Sequence, residues 1–359
     1  MNTPYETILE ISLKNLEANF NYLKSKINNT TKIIAVVKAY AYGHGDIAIS
    51  KKLESLGAAA LWVADFEEGV RLRKNNIKIP IIIANPGIKS TKEVLLNKLD
   101  VVVHNFELLR TYGKLNKNIN IHIKFNTGMN RYGFEMKNIN EIKNEIKKYP
   151  KLNIKSICSH LAASDDETKN DITQKQFILF DKICWLFSKN IKQKIDRHIL
   201  NSHGVLRFPK KEYEMVRLGI GLYGGINHKS LKQIATFKTV ITSIKHVKKG
   251  DYIGYNASFV AKEDMHIGII PLGYADGLNR KLGNGQGFVL VNERPCLIIG
   301  KISMDSCMIK LNNSNIEIGD RVIIFGEKLE VKYIADKLET IPYEIYATLN
   351  RRIKRVYSD

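Results

Sequence analysis

Cysteine is scarce in this chain. Four thiols, Cys158, Cys184, Cys296 and Cys307, stand in 359 residues with no CxxC pairing. That excludes a disulfide framework and a thiolate zinc site, leaves reduced thiols, and gives no reason to expect a metal. The sequence has no apolar run near the ~20 residues that span a bilayer, so no membrane partner is expected. The stretch MNTPYETILEISLKNLEANF has no basic segment leading into an apolar one. A signal peptide is therefore not expected, and a cytoplasmic location is. Internal repeats, low-complexity tracts and long linkers are missing as well.

Acidic residues are outnumbered 56 to 36 by lysine and arginine, for a net charge of +20. Such a balance raises the question of nucleic acid. The lysines, however, are spread along the whole chain, and doublets such as Lys51-Lys52 and Lys248-Lys249 are isolated. The densest patch is Arg351-Arg352-Ile353-Lys354-Arg355. No nucleic-acid partner is expected; an anionic ligand accounts for the charge as well. A nucleic-acid binder, the rival reading, predicts steep salt dependence and no visible chromophore.

What is present is a regular alternation. Apolar residues make up 44% of the chain, enough for a sizeable core, and the length suggests two domains. Ser12 is placed to cap a helix whose apolar positions Leu13, Leu16, Phe20, Leu23 and Ile27 step by three and four. Short β-rich runs follow at 32–37, 61–64, 81–84, 101–103, 119–125, 154–159, 198–200 and 215–216. Helical segments such as 66–74 and 139–148 separate most of them. Eight such units predict a parallel sheet covered on both faces, and eight is the number that closes a (β/α)8 barrel. An open doubly wound sheet satisfies the same strand count. After about residue 230 helical periodicity nearly vanishes. Alternating runs at 239–241, 267–270, 288–291, 296–299, 307–311 and 321–324 predict a mostly antiparallel β domain. The expected organisation is α/β plus β. An N-terminal (β/α)8 TIM-type barrel spans 12–230, and 1–11 with 231–359 form the β domain.

Polar residues end the apolar runs: Lys38, Asn85, His104, Lys124, His160, Asn201 with Ser202, and Arg217. In a (β/α)8 barrel, reactive groups sit at those ends. Each alone has a structural reading, His160 as a satisfied core histidine and Arg217 as an ion-pair partner; their joint placement carries the functional one. Lys38, in VVKAYAYGHG, either snorkels to the surface or does chemistry. An amine desolvated by apolar walls and nearby cations becomes a nucleophile, able to bond an aldehyde cofactor such as pyridoxal 5'-phosphate. A phosphate would find a hydroxyl and an amide at Asn201-Ser202 and close backbone approach at Gly219-Ile220-Gly221, with Tyr42 as a further hydroxyl.

These segments resemble alanine racemase, the fold-type III pyridoxal phosphate enzyme. The resemblance rests on VVKAYAYGHG, FNTGMNRYGF at 125–134, SHLAASD at 159–165, NS-x4-RFP at 201–209 and VRLGIGLYGG at 216–225. It continues through IGYNASF at 253–259, PLGYADG at 271–277 and IGKISMD at 299–305, so it runs nearly end to end. It implies that L- and D-alanine are interconverted and that D-alanine is supplied for peptidoglycan. Lys38 would carry pyridoxal 5'-phosphate and act as one acid/base. Tyr255, from the partner subunit of a head-to-tail homodimer, would be the other. His160 and Arg217 would lead to the pyridine nitrogen. Tyr42, Ser202, Gly219 and Ile220 match the phosphate site, and Asn201 and Tyr223 join the cofactor-binding set. Arg131 would steady the cofactor's phenolic oxygen and the substrate carboxylate. Lys124 matches a lysine that is often carbamylated and holds that arginine. Met304 and Asp305 would line the substrate site, and Tyr274 its entrance.

The sequence departs from the family pattern at Tyr40 (usually asparagine), Asn126 (aspartate), Lys301 (arginine) and Leu218 (often proline), and at Arg351, where many members have tyrosine. None of these removes a proposed catalytic group. Racemisation takes a proton from one face of Cα and returns one to the other, so one base per face is the simplest solution. An arginine facing the ring nitrogen would leave that nitrogen unprotonated and the ring a weaker electron sink. The alternatives are a racemase of broader specificity, on serine or other small amino acids, and a non-catalytic pyridoxal phosphate-binding protein, which would lack the β domain and Tyr255. A decarboxylase of the same fold type would need a cysteine-based segment, for which Cys307 is the loose candidate.

Overall fold

Strands form where β-branched and aliphatic side chains cluster, as in Ala60–Val63 (ALWV) and Ile81–Ile83 (III), each buried along its whole length. The computed structural model describes residues 4–189, 191, 194–312, 315–326 and 328–359. Two compact units emerge: Met1–Ala18, Tyr42–Gly45 and Tyr223–Asp359 in one, Asn19–Ala41 and Asp46–Leu222 in the other. No helix among the described residues is long and apolar enough to cross a membrane.

In order along the chain, the strands of the second unit follow β1 (Ile8–Ser12), which belongs to the first. They are β2 (Lys32–Val36), β3 (Ala60–Val63), β4 (Ile81–Ile83), β5 (Asp100–Val103), β6 (Ile119–Lys124), β7 (Leu152–Cys158), β8 (Asp196–His198) and β9 (Met215–Leu218). Among the described residues these eight form one parallel sheet in the order β8-β7-β6-β5-β4-β3-β2-β9. The Arg217 N–H donates to Leu200 O at 3.0 Å, linking the chain just past β8 to β9 and drawing the two ends together. The sheet is thus a (β/α)8 barrel and not the open doubly wound alternative. Helices between strands start where the sequence supplies an acceptor. Asp65 caps Phe66–Lys74 by accepting from the Glu68 N–H, and Asn105 caps Phe106–Lys114 by accepting from Leu108.

The first unit adds β10 (Ala235–Val240), β11 (Ser243–Val247), β12 (Tyr252–Ile253), β13 (Phe259–Val260), β14 (Met265–Ile270), β15 (Phe288–Val291), β16 (Arg294–Ile299), β17 (Cys307–Lys310), β18 (Arg321–Phe325) and β19 (Lys354–Ser358). Its main sheet runs β11-β14-β17-β16-β15-β18-β10-β1-β19. Pairing is antiparallel except for β1 with β19. Ser12 accepts from the Asn15 N–H, so the predicted helix start holds, and the helix spans Leu13–Lys24. Two short helices, Val331–Lys337 and Pro342–Ala347, interrupt a region whose periodicity predicted only strands. All four cysteines are free and buried.

Candidate active site

Lys38 follows the last residues of β2 and opens an unusual turn. Ala39, Tyr40, Ala41 and Tyr42 all have φ between 52° and 57°, four consecutive left-handed residues without a glycine. Each such residue costs about 1–2 kcal/mol relative to a right-handed one. The Glu68 carboxylate holds the turn from one side, accepting from the Ala39 N–H at 2.6 Å and the Ala64 N–H at 2.8 Å. The Lys38 side chain reaches solvent. Even so, the protein around its amine, then the charges of Arg131 and Arg217, hold its pKa below the ordinary lysine value, while Glu68 opposes them. The amine therefore keeps a neutral fraction at lower pH than a surface lysine does.

Lys124 ends β6 and stands in the same positive field. Burial, together with Arg217, Arg131 and Lys38, lowers its pKa to about 8. Its ammonium lies over the Tyr132 ring at 5.7 Å, and that ring packs on His104 with centroids 4.6 Å apart. Asn126 holds the following loop together: its Oδ1 accepts from the Gly128 and Asn130 N–H groups at 3.1 and 3.0 Å, and its amide donates to Glu135 at 2.9 Å. Asparagine thus still ties the turn that carries Arg131.

Arg217 on β9 is the buried hub. It is 5% exposed, and burial lowers its pKa to about 10, which leaves it charged at neutral pH. Nη2 donates to Ser159 O at 2.6 Å, to His160 Nδ1 at 3.0 Å and to Ile199 O at 3.2 Å, while Nη1 donates to His198 Nδ1. Its guanidinium lies over the Trp62 ring at 5.4 Å. Burial and the Arg217 charge push the His160 pKa well below its usual value, so that ring is neutral.

Ser202 opens the short helix Ser202–Arg207, and its hydroxyl accepts from the Gly219 N–H at 2.9 Å and the Gly221 N–H at 3.2 Å. A Cβ at Gly221 would come within 3.1 Å of Ser202 Cβ, so a larger residue would press on the serine that gathers these N–H groups. Ile220 is buried between them. Asn201 caps the helix, accepting from the Gly204 N–H at 2.8 Å, and so acts by placing Ser202. The Lys38 amine, the neighbouring Lys124 and Arg131, a hydroxyl gathering two glycine N–H groups and the fixed Arg217 guanidinium suit a phosphorylated pyridine aldehyde. Pyridoxal phosphate fits these residues.

The other predicted residues belong to the sheet unit. The Tyr42 ring packs at a tilt against Tyr223 and Tyr343, with centroids 4.8 and 5.8 Å apart, and burial raises its phenol above the usual tyrosine value. Tyr274 and Met304 are neighbours: the Tyr274 N–H donates to Ser303 O and the Ala275 N–H to Met304 O, both at 3.0 Å. Asp305 pairs with Arg352 at 2.7 Å. Tyr255 is 66% exposed and follows Gly254, whose φ is 79° and which abuts Gly300 and Lys301. Cys307 is fully buried, and burial pushes its thiol up to about 12, which removes it as a nucleophile. Glu68, Trp62 and His198 were missed from sequence. Trp62 and His198 each lie in a run that reads as a strand, but only strand ends mark functional positions in the sequence.

Two family models match in chain order: alanine racemase, N-terminal domain, over residues 11–227, and alanine racemase, C-terminal domain, over 234–357. An alanine racemase of Clostridium kluyveri is 35% identical over 97% of this chain and 93% of its own length. Among solved structures, an alanine racemase of Clostridium difficile superposes with a TM-score of 0.92 at 30% identity, covering 99% of this chain and 97% of that one. The alanine racemase of Bartonella henselae, solved with covalently bound pyridoxal phosphate, gives 0.90 at 27% identity over 99% and 100%. Since both halves match in order and the likeness extends over nearly the whole length, this chain belongs to the alanine racemase family of isomerases.

Proposed function

We propose that this protein interconverts L-alanine and D-alanine with pyridoxal 5'-phosphate and so supplies D-alanine for peptidoglycan in the cytoplasm. The observation that carries the reading is Lys38, an amine with lowered pKa at the mouth of a barrel, among Arg131, Lys124 and Arg217. Lys38 is the covalent anchor. Ser202, Gly219, Ile220 and Tyr42 would take the phosphate, and Asn201 and Tyr223 complete the cofactor-binding set. Arg217 would face the ring nitrogen, and neutral His160, accepting from Arg217, holds its orientation. Pyridoxal phosphate, when bound, supplies the electron-withdrawing ring that makes the α-proton removable by a side chain.

The chain's own groups do the rest. Arg131 pairs with the substrate carboxylate, and Lys124, whose lowered pKa leaves a neutral amine free to react with carbon dioxide, would hold Arg131 as the carbamate. Lys38 Nζ moves a proton at one face of Cα and Tyr255 Oη at the other. Tyr255, two-thirds exposed in one protomer, reaches the barrel mouth of a second copy in a head-to-tail homodimer, with Met304, Asp305 and Tyr274 lining the substrate's approach. The barrel of 12–230 thus binds the cofactor, and the β domain of 1–11 and 231–359 brings the second base. A coupled assay of L- to D-alanine conversion, with and without added pyridoxal phosphate, tests the reading. Wild type should depend on the cofactor, and Lys38→Ala should lose at least about 10³-fold of the activity. Full activity in Lys38→Ala would end this assignment.

A further inference from the structure

Behind Arg217 the barrel interior holds a file of buried polar side chains that the proposed chemistry leaves unused. Arg217, His198, Ser156 and His122 come from the four consecutive strands β9, β8, β7 and β6, and Asp100 opens β5. His198 and Ser156 are 0% exposed, His122 2%, Arg217 5% and Asp100 7%. Arg217 sets the direction of their hydrogen bonds. A guanidinium has donors and no acceptor, so His198 Nδ1 accepts from Arg217 Nη1 and carries no proton. A neutral His198 then has its proton on Nε2, which donates to Ser156 Oγ at 2.9 Å. The hydroxyl proton goes on to His122 Nδ1 at 2.7 Å. His122 then bears its proton on Nε2, which makes no hydrogen bond and faces the Asp100 carboxylate, with Oδ2 at 3.6 Å. Asp100 Oδ1 accepts from Asn120 at 2.9 Å, which fixes the carboxylate.

We propose that Ser156, His122 and Asp100 are positioning residues for Arg217. Relayed through one another, they lock His198 as the Nε2–H tautomer, and that acceptor holds the guanidinium in a single orientation. Aliphatic side chains would fill this barrel layer at no desolvation cost, as valine and isoleucine fill such layers elsewhere. Five neighbouring buried polar groups exchange that economy for one defined arrangement. Arg217, His122, Lys124 and His160 are the charged or titratable groups around His198, and the Trp62 ring packs edge-on to it with centroids 5.9 Å apart. The first three strengthen the case for a neutral ring, because each is a cation or can become one.

The inference rests on the reading of Arg217 as the group facing the cofactor's ring nitrogen, but its first readout does not. Histidine-¹⁵N spectra of the holoenzyme report the tautomer of each ring directly. In wild type, His198 and His122 should both give the neutral Nε2–H pattern at neutral pH. Ser156→Ala should abolish that pattern at His198, and Asp100→Asn should disturb it first at His122. Steady-state kinetics of both variants should show kcat lowered about tenfold with KM little changed, as expected for a misoriented group that does not bind substrate. Ser156→Thr, which keeps the hydroxyl, should restore both the spectrum and kcat. A wild-type Nδ1–H pattern at either ring would overturn the proposal, as would unchanged kcat in both variants. Absence of racemase activity in wild type would count against the functional reading while leaving the tautomer result to stand or fall alone.

Discussion

Arg217 Nη2 donates to His160 Nδ1 at 3.0 Å while Nη1 donates to His198 Nδ1, so one guanidinium keeps two buried imidazoles neutral. Both rings have pKa values well below the 6.5 of an ordinary histidine, through burial first and Arg217 second. Below pH 6.5 the unfolded chain binds protons at these two positions and the folded chain does not. Stability therefore falls as pH drops from 6.5 towards the folded-state values, by up to about 1.4 kcal/mol per pH unit for each histidine. Urea unfolding between pH 5 and 7 should show a shallower slope in His198→Gln, by about that amount. An identical slope would mean that His198 is charged in the folded protein.

Glu68 clamps the strained turn that presents Lys38, through the Ala39 and Ala64 N–H groups. Replacing it with alanine leaves two amide donors without their acceptor and should destabilise the fold by about 1–3 kcal/mol. Lys38 would then be presented less rigidly, so cofactor trapped by borohydride at that position should fall as well. Unchanged melting temperature together with unchanged trapping would show that the turn holds itself.

The positive field at the barrel mouth has its own signature. Competitive acetylation of the cofactor-free protein, resolved by peptide mass spectrometry, should place the midpoint for Lys124 near 8 and that for Lys38 below the usual 10.5. Arg131→Gln removes one repelling charge and should raise both midpoints. No movement at either lysine would show that burial acts alone.

The buried Cys307 thiol has no part in the proposed chemistry. Cys307→Ala should leave racemase activity at the wild-type level while costing about 1 kcal/mol of stability from lost packing. A large loss of activity in a folded variant would revive the decarboxylase-like reading.

The barrel was legible because its strands are continuous apolar runs, and the step from buried Val37 to exposed Lys38 marks where one of them ends. Reactive groups at those ends follow from the architecture, so Lys38, Lys124, His160 and Arg217 could be found by counting strands. Other features carry no such mark. Glu68 lies within a helix like any solvated glutamate, and its role comes from a left-handed turn that VVKAYAYGHG does not announce. Ser156 sits inside its strand and His198 closes a strand of three residues, positions where sequence alone does not separate a packed polar residue from a working one. The helices Val331–Lys337 and Pro342–Ala347 are too short, at seven and six residues, to establish a period.

The exposure of Tyr255 can be turned into a count of active sites. If Tyr255 of each protomer completes the site that holds the other's Lys38, then Lys38→Ala and Tyr255→Phe homodimers should both be nearly inactive, the second by about 10²-fold or more. In a mixed dimer, one site combines both lesions. The other joins the intact Lys38 of the tyrosine variant to the intact Tyr255 of the lysine variant. Random reassortment makes about half the dimers mixed, each with one working site of two, so about a quarter of wild-type activity should return. If each protomer instead used its own tyrosine, every site in every mixed dimer would carry one lesion and nothing would return. Recovered activity near a quarter therefore measures the shared site directly, and activity that stays at the level of the separate variants would show that Tyr255 does not serve a partner.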